Sequence, residues 1–358
     1  MTGAGAALIR CAKAAAWRAG APALGALPPP QALVEAARAQ HALSIVGRTL
    51  KELPACPEAL RGELERIERG AWATHVVTAA ALGPVLAQAA GEGIRVVVYK
   101  GAALAGRYYD EPWMRAMSDV DVLVAPADEA RLHALLARNG FTTLASAPGR
   151  TWSVKASHER TFISPAAGAR MLDVHTAPAQ PARYRFLVDD MLRRAQPGTL
   201  FEAPVHLLTA ADELLVMAAN QAHDHYRFGL LRYLDAWLLV ARSTVDWDAL
   251  IATAHAAGVA SAAWLTLANA QRIAGAAVPE AVLARLGPSP FRQTWLRAAF
   301  ALEDSGEPRR ALPRRLEQLV LLYPTLDRSR DFARFGAVHG ALRILDAGAA
   351  LLSRAVRS

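Results

Sequence analysis

Hydrophobic and polar positions change their period twice along this chain. Up to about residue 90, apolar residues recur at the spacing of an amphipathic helix. The segments are "ALIRCAKAAAWRAG", "QALVEAARAQHALSIVGRTL" and a long run from about Glu58 to Ala90, the first two parted by the turn-rich "GALPPP". Short β-branched runs then take over: "IRVVVYK", "DVDVLVA", "HERTFIS" and "ARMLDVHT" predict strands. Between the first three of them, "GAALAGRYY" and "ADEARLHALLARNGF" predict helices, the second stopped at Asn139-Gly140. From Thr209 the helical period returns through "TAADELLVMAANQAH", whose Thr-x-x-Asp opening predicts a cap. "FGLLRYLDAWLLVARS", "DWDALIATAHAAG" and "SAAWLTLANAQRIAG" follow. The expected class is α+β, with an N-terminal helical region over 1–90, an α/β core with a small mixed sheet over 91–205, and a C-terminal helical domain over 206–358.

The valine-rich strand poses the chemical question. Asp119 and Asp121 share one face, while Val120, Val122 and Val124 point the other way into a core. An unpaired carboxylate in a core is costly, so this face must meet something cationic. "ARMLDVHT" repeats the arrangement with Asp173 and His175. If the two strands are neighbours, three carboxylates converge and repel unless a cation neutralises them. Such oxygen ligands suit Mg²⁺, which bridges protein carboxylates and substrate phosphates. Two ions would activate an attacking oxygen and neutralise a leaving pyrophosphate. Gly101, between strand and helix, lets backbone N–H groups approach an anion. Lys100, Arg107 and Arg115 lie close by in sequence. The expected arrangement is a triphosphate across a helix N-terminus, with metal between it and Asp119 and Asp121.

A glycine at a strand–helix turn, an acid-apolar-acid strand and a later single acid resemble the polymerase-β-like nucleotidyltransferase superfamily. More narrowly, "YKGAAL", "RAMSDVDVLV", "HERTF", "LDVHT" and "AANQAHDHYRFGLLRYLDAWLLV" resemble a nucleotidyltransferase family often encoded among peptide natural-product genes. The resemblance spans roughly 85–260. It implies metal ligands at Asp119 and Asp121, and Asp173 as third ligand or general base. It also implies a phosphate turn at Gly101-Ala102, an NTP substrate with ATP expected, and a peptide or small-molecule acceptor. Two departures stand out. Ala102 follows Gly101 where the superfamily usually has Gly or Ser, and the gap to Asp119 is long enough for an extra segment around "YYDEPWMRAM".

Other residues admit two readings each. Lys100 binds phosphate or simply closes a strand at the surface. Arg115 neutralises phosphate or pairs with Asp110 or Glu111. Ser118 contacts phosphate or forms a turn. His175 orients Asp173, touches a phosphate, or is a hydrogen-bonded structural histidine. His158 and Glu159 contact base, ribose or acceptor, or are structural. His223 and His225, two apart on a helix, do not share a face. His223 and Arg227 face the cleft with Asp235, or these groups join helices by hydrogen bonds.

Composition narrows the setting. The net charge is +8 with only four lysines, at 13, 51, 100 and 155. From residue 288 onward twelve arginines oppose seven acids, an excess of +5. Arg309, Arg310, Arg314 and Arg315 keep an RNA-modifying reading in play, and a regulatory, antitoxin-like module is the non-enzymatic alternative. Cys11 and Cys56 belong to no metal or disulfide spacing, which predicts a reducing cytoplasm. The charge-free windows 71–91 and 251–271 are too alanine-rich to predict membrane spans. A soluble, membrane-free protein is expected.

Overall fold

The computed structural model describes residues 3–16, 24–144, 158–224, 226, 229–299, 325–328, 331, 333–334, 336–338 and 341. Four helices come first: α1 (Gly3–Ala16), α2 (Pro30–Ala39), α3 (Leu43–Glu52) and the long α4 (Glu58–Gly91). The sheet module follows with β1 (Val97–Tyr99), α5 (Lys100–Tyr108), a 3₁₀ turn at Pro112–Met114, β2 (Asp119–Leu123) and α6 (Pro126–Arg138). It continues with β3 (Thr142–Thr143), β4 (Glu159–Ile163), β5 (Met171–His175), α7 (Val188–Arg194), β6 (Gln196–Leu200) and β7 (Ala203–Leu207). Helices α8 (Ala210–His223), α9 (Gly229–Arg242), α10 (Trp247–Ala257), α11 (Ala260–Asn269, continued by a π-helical turn at Ala270–Ala274), α12 (Glu280–Leu286) and α13 (Pro290–Ala299) complete the chain's described elements. The architecture is mixed, helix-rich and consistent with α+β.

Among the described residues, seven strands form one mixed sheet in the order β3-β4-β5-β2-β1-β7-β6. β2 lies between antiparallel β1 and parallel β5, which places Asp121 level with Asp173. The alternation read from the sequence therefore holds. Val98, Val120, Val122, Leu172 and Val174 pack with Leu82 and Leu86 of α4 and Leu132, Leu135 and Leu136 of α6. Each fully buried side chain of this kind contributes about 1.5–3 kcal/mol. On the other face Val97, Tyr99 and Leu123 pack on Met191, Leu192 and Val216. The β6–β7 hairpin, unread in the sequence, extends the sheet beyond β1. Its turn presses on α4, where a Cβ on Gly83 would stand 2.6 Å from the Phe201 carbonyl oxygen. Only glycine fits there.

A further core joins α1–α3 to the C-terminal helices, with Leu33, Ile45 and Leu50 in the same buried cluster as Leu214, Tyr233, Leu250 and Leu265. Thr209 caps α8 as its sequence predicts, accepting a hydrogen bond from the Asp212 amide. The 251–271 window does not form one span, because Gly258 (φ 74°) closes α10 in the left-handed conformation. By length and composition, α4 is long enough and apolar enough to cross a membrane, and 28% of its most apolar window is buried.

Candidate functional site

The site lies where the acidic face of the sheet leaves the core. Asp119, Asp121 and Asp173 line one cavity of about 590 Å³ with Lys100, Gly101, Arg115 and Ser118. Glu159, Arg170, Asn220, His223 and Arg232 line the same cavity. The predicted convergence of three carboxylates from neighbouring strands is what the structure displays.

Their proton affinities diverge. Burial would raise Asp121, yet Lys100 Nζ at 2.7 Å and His175 Nε2 at 2.9 Å from its Oδ1 hold it well below the usual carboxylate range. Asp173 moves the other way. Burial raises it against a hydrogen bond from Thr161, and the charges of Asp119 and Asp121 push it further up. Asp173 Oδ1 is buried and has no hydrogen-bond partner. An unsatisfied buried carboxylate oxygen beside two other acids is a donor set that fits a hard divalent cation. Donor atoms of Asp121, Asp173 and His175 all lie within 4.8 Å of one another.

Lys100 is held rather than exposed. Its backbone is left-handed (φ 56°), unusual for a side chain with a Cβ. Its N–H donates to Glu213 Oε1 at 2.7 Å, and its ammonium pairs with Asp121 over the Tyr99 ring. Glu213 is fully buried, and desolvation pushes its carboxyl up to about 8 despite the Lys100 amide and Arg107. Nothing in the sequence singled this residue out. It follows Asp212 in the first turn of α8, where an acid is ordinarily a favourable surface charge. Tertiary packing of α8 buries it, and its Oε1 accepts from the Lys100 amide at the start of α5.

Arg115 forms neither of the expected local ion pairs. It donates bidentately to Asp235 on α9, Nε to Oδ1 at 2.9 Å and Nη2 to Oδ2 at 2.8 Å. Tyr109 also donates to Asp235 Oδ1, at 2.7 Å. Asp235 thus anchors α9 to the segment between α5 and β2, while His223 lines the cavity. Gly101 lies inside the first turn of α5. A Cβ on it would meet Arg115 Nη1 at 2.9 Å, so glycine is needed for this close approach and not for backbone angle. Arg107 leaves the site and donates to the Leu208 carbonyl. Ala102 is corrected too: it is buried among Val98 and Leu82 and faces a separate cavity of about 710 Å³.

His175 is buried against Asp121, so it neither orients Asp173 nor reaches a phosphate. Burial, with Lys100 close by, lowers its pKa. His158 lies beside it, with its own pKa lowered to about 4, mainly by burial. The extra segment around "YYDEPWMRAM" is the 3₁₀ turn whose Met114 enters the helical core. Lys155, His225, Arg227 and the arginines from 309 to 315 lie outside the described residues.

Acidic strand ends facing a cleft beside a strand-to-helix turn are consistent with the nucleotidyltransferase resemblance carried by the sequence. A family model described as uncharacterised nucleotidyltransferase matches residues 28–275, and the chain belongs to that family. The match reaches beyond the 85–260 expected, taking in α2, α3 and α11. Comparison with curated proteins gives no match.

Proposed function

We propose that this transferase moves a nucleoside monophosphate from an NTP, with ATP the expected donor, onto a hydroxyl or phosphate oxygen of a peptide or small-molecule acceptor. The polymerase-β-like core is part of this reading. The observation that carries it is the level pairing of Asp121 with Asp173, with Asp119 lining the same cavity. Asp119, Asp121 and Asp173 would hold divalent ions, two Mg²⁺ being the pair that such carboxylates and a triphosphate share. Bound there, the ions would offset phosphate charge and make the attacking oxygen more acidic.

The chain's own residues account for the rest. The acceptor oxygen bonds to the α-phosphorus, the bond to the bridging oxygen breaks, and pyrophosphate leaves. Asp173 Oδ1, unpaired and with raised proton affinity, takes the proton of an acceptor hydroxyl. The N-terminal turn of α5 at Gly101, with Ser118 and the cavity side of Arg115, receives phosphate oxygens. Lys100 keeps Asp121 ionised and oriented. Cys11 and Cys56 are both free and buried.

The test is incubation with each labelled NTP, Mg²⁺ and a cell extract as acceptor pool. Wild type should transfer label and release pyrophosphate, and Asp119→Ala with Asp121→Asn should not. Transfer that survives the double substitution rejects the site. One observation favours a second reading, a regulatory module without turnover: Lys100 already neutralises Asp121. Nucleotide binding without pyrophosphate release, given a full acceptor pool, would select it.

A further inference from the structure

A second cluster borders the carboxylates and has no part in the proposed transfer. His175 is 2% exposed, and its Nε2 sits 2.9 Å from Asp121 Oδ1. A carboxylate only accepts, so Nε2 carries the proton and Nδ1 presents its lone pair. Nδ1 is buried with no hydrogen-bond partner. It is aimed toward β4, where Glu159 Oε2 stands 3.8 Å away. The imidazole of His158 lies against that of His175, ring centres 5.9 Å apart. One donor atom from each of His158, Glu159 and His175 falls within 4.8 Å of the other two.

Strand register produces this grouping. Glu159 is opposite His175 in the antiparallel β4–β5 pair, so both side chains share a face. The Thr176 amide donates to the His158 carbonyl at 2.8 Å and ties the strand ends together. Two imidazoles and a carboxylate form a softer donor set than the neighbouring three acids. Imidazole suits zinc and its neighbours, whereas carboxylates alone suit magnesium. The far nitrogen of His175 is already bonded to Asp121, the carboxylate–histidine arrangement that stands behind metal-binding imidazoles.

We propose that His158, Glu159 and His175 bind a divalent transition cation of the zinc class, at a position separate from the ions assigned to Asp119, Asp121 and Asp173. Zn–N bonds of about 2.0–2.1 Å require the donors to draw inward from their present spacing. The Glu159 side chain is 41% exposed, so the ion would be reachable from solvent on that side. Three protein ligands leave a fourth position open to solvent or ligand. The bound ion fixes His175, and through it the orientation of Asp121.

The full chain is titrated with Co²⁺ alone, as a coloured stand-in for Zn²⁺, and then challenged with Zn²⁺ or Mg²⁺. One equivalent should give visible d–d absorption that Zn²⁺ removes and excess Mg²⁺ leaves. His158→Ala and Glu159→Gln should each weaken Co²⁺ binding at least about tenfold. Both positions are partly exposed at a strand end, and circular dichroism confirms that each variant is folded. An Asp119→Ala/Asp173→Ala variant should keep the absorption. Loss of the signal in that variant, its survival in the His158→Ala/Glu159→Gln double variant, or no Co²⁺ binding by wild type overturns the proposal. Nucleotide transfer is not the readout, so this result and that of the transfer assay stand or fall separately.

Discussion

Asp121 and Asp173 face each other across parallel strands, yet one is held ionised and the other is driven toward its protonated form. The difference comes from what each touches. Lys100 and His175 both bond to Asp121, while Asp173 keeps an unpaired oxygen beside two other acids. Two acids with separated affinities on one cavity wall suit the proposed transfer, in which Asp121 would hold an ion and Asp173 would take a proton.

Asp173→Asn should lower transfer by roughly 10²–10⁴-fold through loss of the proton acceptor. It should not destabilise the fold, since it removes charge crowding. Initial rates and a thermal melt of the same sample check both halves. A severe loss of melting temperature would mean that Asp173 is structural.

Asp121→Ala should unfold more readily than Asp173→Asn. It leaves the Lys100 ammonium, whose side chain is 16% exposed, without its partner. Stranding one member of a buried pair costs about 3–5 kcal/mol. Urea titrations of the two variants should rank them in that order.

Stability should fall as pH rises from about 4.5 to about 8, because Glu213 binds its proton more tightly folded than unfolded. The sign follows from a folded pKa above the ordinary 4.5. This contribution is complete below the ordinary value and lost on passing the raised one. Glu213→Gln keeps an acceptor for the Lys100 amide and cannot ionise, so its melting temperature should decline less over that interval. Parallel slopes for the two proteins would contradict the assignment.

Gly101→Ala should cost about 1–3 kcal/mol, the penalty of overpacking, because Arg115 Nη1 occupies the space a Cβ needs. The guanidinium cannot swing aside while Asp235 holds two of its nitrogens. Asp235→Ala should release it at a larger cost, about 3–5 kcal/mol, by leaving a buried cation alone. Chemical denaturation of both variants tests the ranking.

Mg²⁺ should raise stability by about 2.7 kcal/mol at a hundred times its dissociation constant. Asp119→Ala/Asp173→Ala should lose that gain. Melts with and without Mg²⁺ decide it.

The strands and their faces were legible because period-two alternation and β-branched residues leave a local trace. Asp119 and Asp121 were legible because acids inside a valine-rich run need a reason, and Asp173 because its strand repeats their arrangement. Lys100 and Arg115 line the cavity, but the Arg115 ion pair expected with Asp110 or Glu111 is made instead with Asp235, 120 residues further on, where no local signal points. The β6–β7 hairpin went unread because "QPGTL" and "APVHL" carry prolines and a glycine that weaken a strand pattern. Glu213 was invisible for a similar reason: its burial comes from tertiary packing around α8, not from its own helix.

The bidentate grip of Asp235 on Arg115 also bears on how the protein can be divided. A fragment ending near residue 205 would retain every acidic strand end. It would lose both the carboxylate that neutralises the guanidinium behind the α5 turn and the one that receives the Lys100 amide. Catalytic face and C-terminal helices are therefore wired as one machine, and trimming to the apparent minimal core would dismantle the cleft it was meant to isolate.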